Sequence, residues 1–84
     1  MDELKFQVKA KANKLEPFLL IGKNKVNEKQ IAMLEKKLEK EKIVKIKLQK
    51  SIKEEKQAIA KEIAEKTHSV IAEIKGNTIV LFRS

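Results

Sequence analysis

Apolar positions along this chain recur at two spacings, one helical and one strand-like, and the changes between them mark its elements. Leu4, Val8, Ala12 and Leu15 form one stripe with Asp2 and Glu3 in the first turn, which predicts a helix over residues 2–14. Pro17 disfavours helical geometry at Glu16 and ends it, and the continuous apolar run 18–21 reads as a strand covered on both faces. Asn27 and Gln30 have capping-box spacing, and Val26 and Ile31 stand at hydrophobic-staple positions, so a second helix starts there. Ile31, Leu34 and Leu38 form its buried stripe, while Glu35, Lys36, Glu39 and Lys40 form its solvated side. Residues 43–48 alternate apolar residues with lysine, the mark of a strand.

Ser51 and Glu54 repeat the capping-box spacing, and Ile52, Ile59, Ala60, Ile63 and Ala64 predict a third helix through about Lys66. Two β-rich runs, 69–75 and 78–83, flank Gly76 and Asn77, a two-residue turn in which the glycine supplies a positive φ. The predicted order is α-β-α-β-α-β-β. Two strand-helix-strand units require parallel pairing with right-handed crossovers, and the hairpin adds an antiparallel strand, giving a four-stranded mixed sheet of the α/β (α+β), two-layer type. Such a sheet is only about 19 Å wide, and two helices of about 10 Å cover one face. Ile43, Ile71, Ile79 and Leu81 are assigned to the other face, so the first helix is expected there or along an edge.

Eighty-four residues suit a single domain, 1–84, with a thin core. The chain has no cysteine and one histidine, which removes disulfides, thiolate metal sites and cysteine nucleophiles. No apolar run approaches membrane-spanning length, and the acidic start is unlike a signal peptide, so a cytoplasmic protein without a membrane partner is expected. The net charge of +8 favours a polyanionic partner. All but one of the 20 basic residues are lysine, which suits backbone and shape recognition better than bidentate base reading.

The second and third helices are nearly balanced in charge and read as solvated faces; the excess lies in residues 1–26 and 43–50. Gly22 ends the first strand, and Lys23, Asn24 and Lys25 carry the chain to the capped helix. A glycine that frees the backbone beside two lysines and a helix N-terminus suits phosphate, although a strand-ending glycine with solubilising lysines fits the same spacing. The second glycine and Lys-Ser/Thr of a P-loop are missing. Lys45 and Lys47 share the strand face opposite Val44, Ile46 and Leu48, where a basic strip and ordinary solvation are both open. His68 reads as a residue at a helix C-terminus rather than a catalytic group. No acid, serine and histidine arrangement suggests catalysis, so a non-enzyme without cofactor or small-molecule substrate is expected. Phe6, Phe18 and Phe82 are too few for an aromatic stacking platform, and Phe18 and Phe82 read as core.

Leu15, Glu16 and Pro17, then Phe18 to Ile21, then Gly22, Lys23 and Asn24, resemble the leucine-x-proline, apolar strand and Gly-Lys-Asn-Gly signature of the CRM domain, the YhbY-like RNA-binding family. The resemblance continues through Ile43 to Lys47 and the closing stretch from Ile74 to Arg83. It implies a sheet similar to that of the C-terminal domain of translation initiation factor three, and RNA bound through a GxxG-type loop and the adjoining basic surface. Stand-alone bacterial relatives associate with precursors of the large ribosomal subunit and plant organelle relatives act in intron splicing, so the resemblance implies ribosomal RNA or pre-ribosomal particles as partner. By position, Gly22, Lys23 and Asn24 match the loop, whereas Lys25 replaces the second glycine and is added for its charge. Lys11 and Lys14, one helix face near the loop in sequence, complete the expected site, with Lys45 and Lys47 behind them. A monomer is expected. A module docking an acidic ribosomal or RNA-processing protein is the alternative, and DNA compaction by the lysine-rich surface a third.

Overall fold

The computed structural model describes residues 14–22 and 26–83. Strand β1 (Leu19–Ile21) leads towards helix α1 (Glu28–Glu41), which is followed by β2 (Ile43–Leu48), a 3-10 helix (Lys50–Glu55), helix α2 (Lys56–Thr67), and the hairpin β3 (Val70–Lys75) and β4 (Thr78–Phe82). The first predicted helix lies outside the described residues, and so does its placement relative to the sheet. Every later predicted element is present.

The four strands are ordered β1-β2-β4-β3. β1 and β2 are parallel, whereas β4 is antiparallel to both of its neighbours, β2 and β3. The hairpin's return strand therefore enters the interior of the sheet and separates β2 from β3, which run in the same direction.

Helix α1 begins as its capping box requires. Asn27 Oδ1 accepts from the Gln30 amide at 2.8 Å, and Gln30 Oε1 accepts from the Asn27 amide at 3.1 Å. Val26 and Ile31 pack against the core, consistent with the staple. The helix stops at Lys42 in the left-handed conformation, φ 70°, whose amide donates to the Leu38 carbonyl. One such residue reverses the chain directly into β2. The third predicted helix departs from its capping box: the segment from Lys50 to Glu55 is 3-10, α-geometry begins at Lys56, and Glu55 makes no side-chain cap. At the far end His68 is the left-handed C-cap, while the buried Thr67 Oγ1 donates to the Ile63 carbonyl and lies 2.7 Å from Ser69 Oγ.

The main core joins both helices to one face of the sheet, with Leu34, Leu38, Ile59, Ala60 and Ile63 against Ile21, Val44, Ile46, Leu48, Ile79 and Leu81. A smaller cluster on the opposite face contains Ile43, Ala72, Val80 and Phe82, with Leu15 against it. This corrects the face assignment made from the sequence. Pairing of Val44 with Leu81 and of Ile46 with Ile79 fixes these residues on the helix-covered side, and Ile71 also packs there; only Ile43 of the four lies opposite. The unbroken apolar run from Ile79 to Phe82 has no polar residue to set its phase, so only the register determines which side chains point to the helices. β1 is also not covered on both faces: Ile21 is buried, but Leu20 is 55% exposed.

Candidate nucleic-acid interface

The positively charged candidates divide between two ends of the sheet. Where β1 finishes, Gly22 meets the Gln49 side chain, whose Cδ would be 3.2 Å from an added Cβ. Among the described glycines only Gly76 has a positive φ. At position 22 a side chain would crowd Gln49, whose exposed side chain would have to give by a few tenths of an ångström. Lys23, Asn24 and Lys25 follow immediately and lie outside the described residues.

Hydrogen bonds draw two other segments to this end. The Gln49 amide donates to the Ile21 carbonyl at 2.9 Å and the Leu48 amide to the Asn77 carbonyl at 2.7 Å. Asn77 Nδ2 returns a bond to the Leu48 carbonyl at 2.8 Å, which fastens the hairpin turn onto β2. Lys56 Nζ donates to the Gly76 carbonyl at 3.2 Å. Gly22, Gln49, Lys50, Gly76 and Asn77 are consequently one rim, on which the carboxyl ends of β1, β2 and β3 and the starts of both helices converge.

Strand register extends that rim onto the sheet face away from the helices. Leu20 stands beside Lys47, Lys47 beside Thr78, and Thr78 beside Lys75. This row spans about 14 Å at ordinary strand spacing. Lys47 and Lys75 are exposed, and among the described residues neither has an ion-pair partner. Lys45 shares the face but is half-buried, and its ammonium donates to the Leu15 carbonyl at 3.4 Å. Alternation alone made the two lysines equivalent; their tertiary surroundings do not.

Lys14 is exposed at the opposite end, beside Ile43, Lys45, Lys37 and Glu41 around a cleft of about 420 Å³. β2 is six residues long, so this region is roughly 16 Å from the Gly22 rim. Nearness in sequence to the loop does not bring Lys14 to it. Lys11 lies outside the described residues. Lys37 at this end pairs with Glu41 and stands 5.2 Å from the centre of the half-buried Phe18 ring. Gln49, Lys50 and Asn77 were not among the predicted site residues; their assembly depends on which strand occupies the interior of the sheet. The only local signal was the Gly76-Asn77 turn.

Among the described residues no cluster of histidine and carboxylates could hold a metal, and no helix is long and apolar enough to cross a membrane. The rim offers amides, ammonium groups, backbone and the Glu54 carboxylate, and the first three are groups that can meet phosphate and base edges.

The model of the CRS1 / YhbY (CRM) domain family matches residues 2–83. The chain belongs to this family. This CRM domain is 29% identical over 76 residues to Probable RNA-binding protein YqeI of Bacillus subtilis, covering 90% of the chain and 79% of the relative. It is 31% identical over 83 residues to Probable RNA-binding protein MJ0652 of Methanocaldococcus jannaschii, covering 96% of the chain but 61% of that longer protein. Its fold matches the solution structure of SAV1595 from Staphylococcus aureus, described as a candidate RNA-binding protein, with a TM-score of 0.83 and 25% identity over 100% of this chain and 88% of the other.

Proposed function

We propose that this CRM domain binds structured RNA with the rim at the carboxyl ends of β1, β2 and β3, using Gly22, Lys23, Asn24 and Lys25 together with Lys47 and Lys50. The observation that carries the reading is the convergence of Gly22, two helix starts and unpaired lysines at one end of a CRM-family sheet. Helix N-termini and ammonium groups attract phosphate, and carboxyl ends of strands are where open mixed sheets commonly bind ligands. The RNA is ribosomal, engaged during large-subunit assembly, in line with the family resemblance. The domain acts by binding as a cytoplasmic monomer, without catalysis or cofactor.

Lys25 in place of the second loop glycine adds a charge where relatives present bare backbone, so affinity leans on electrostatics and falls steeply with salt. Reversal of Lys23 and Lys25 to glutamate should weaken binding to a structured ribosomal RNA fragment at least tenfold while the melting temperature stays unchanged. Unaltered binding would remove the loop from the interface. Crosslinking in cell extract, followed by sequencing of the attached RNA, tests the ribosomal assignment; recovery of protein partners without RNA would favour the docking of an acidic protein.

A further inference from the structure

An open groove of about 520 Å³ lies between the segment 17–20 and the end of β2 with Asn77. Its walls combine three kinds of group. Leu20 and Pro17 are apolar and exposed. Gln49 and Asn77 contribute amides, and Lys47 and Lys50 contribute ammonium groups. Asn77 is held in place by its bond to the Leu48 carbonyl, and among the described residues its Oδ1 accepts no hydrogen bond. The exposed Gln49 side chain likewise has no hydrogen-bond partner among the described residues and lies against Gly22.

An exposed leucine beside Lys47 serves neither the core nor solubility. Together the groups match one ligand: a flat apolar face for Leu20, a polar edge for the two amides, and an anion for Lys47 and Lys50. We propose that this groove receives a single unpaired nucleotide of the RNA, splayed out of a bulge or loop beside the rim. Sequence-dependent RNA recognition uses such extruded bases, and glutamine and asparagine amides match base edges. The volume falls within the range of small-ligand sites, and the basic walls select a phosphate-bearing occupant over an apolar peptide. The inference rests on the RNA-binding reading above: the loop lysines hold the backbone, while the groove distinguishes bulged from fully paired RNA.

The test uses the full chain and two RNA hairpins of equal length, one fully paired and one with a bulge of three nucleotides carrying 2-aminopurine. The unaltered protein should prefer the bulged hairpin and change its fluorescence. The pair Leu20→Ser with Gln49→Ala should lose about tenfold in affinity for the bulged hairpin and nothing for the paired one, with an unchanged thermal melt; Leu20→Met should keep the preference. Lys23→Glu with Lys25→Glu should weaken both hairpins equally. Equal binding of both hairpins by the unaltered protein, or equal losses on both from the groove variants, would overturn the groove assignment and leave RNA binding standing. Failure to bind either hairpin would overturn both. Retained preference in the Leu20→Ser, Gln49→Ala variant would place the bulge elsewhere, and quenching by free nucleotide monophosphate alone would make the groove a mononucleotide site instead.

Discussion

Lys45 and Lys47 are two residues apart on one strand face, yet their surroundings predict opposite results when each is changed to alanine. Lys47 is exposed in the row next to the Gly22 rim and has no ion-pair partner among the described residues. If it meets one phosphate, its removal should lower the slope of log affinity against log salt by about 0.7 to 0.9. Over a fourfold rise in salt this corresponds to about a threefold difference in affinity loss, well within the reach of fluorescence anisotropy titrations. Its exposure predicts almost no change in stability.

The ammonium of Lys45 instead donates to the Leu15 carbonyl at 3.4 Å in a partly buried setting. That bond is long, so about 0.5 to 1 kcal/mol is a reasonable contribution. For a domain of this size the loss lowers the melting temperature by about 2 to 8 °C. Lys45→Ala should therefore melt earlier and keep the salt slope of the unaltered protein, whereas Lys47→Ala should do the reverse. A Lys45→Ala variant with an unchanged melt and a flattened salt dependence would refute the reasoning, because both lysines would then face the RNA equivalently.

Gly76→Ala should cost about 1 to 2 kcal/mol from its positive φ alone, since no atom lies within 4 Å of an added Cβ, and urea unfolding would measure it. Asn27→Ala removes one half of a capping box and should cost about 1 kcal/mol in thermal melts, with Gln30→Ala non-additive to it. Lys42→Gly, at φ 70°, should stabilise by up to about 1 kcal/mol, seen as a higher urea midpoint at unchanged slope. Ile63→Ala, fully buried between helix and sheet, should cost about 2 to 5 kcal/mol, seen as a lower urea midpoint by circular dichroism.

Elements with local signals were readable from the sequence. The Asn27 and Gln30 pair fixed the start of α1, the alternation of 43–48 identified β2, and Gly76 marked the hairpin, each because the cause lies within a few residues. Ser51 and Glu54 had the same spacing as a true box but begin a 3-10 segment. Spacing permits a capping box without requiring it. Failures of the face assignment at Ile71, Ile79 and Leu81 have another origin, since strand phase is a property of pairing partners far away in sequence. The same limit applied to the site. Gly22 was recognisable as a local break in an apolar run, but Gln49 and Asn77 join it only through hydrogen bonds across strands.

The interior antiparallel strand explains why those three segments meet. β2 and β3 run the same way, so the turn that joins β3 to β4 lies at the end of the sheet where β2 finishes, and pairing of β4 with β2 brings it against that strand. With β4 inserted, the short Gly76-Asn77 turn comes against Leu48 and occupies little space, leaving the carboxyl ends of three strands accessible on one rim. Each connection leaving that rim towards a helix also begins the helix there, so the partial positive charges of α1 and of the segment leading into α2 add to those of the lysines. Topology thus brings Lys47 and Lys50 to the end of the sheet where Gly22 stands, with the Glu54 carboxylate beside Lys50 and the hairpin turn.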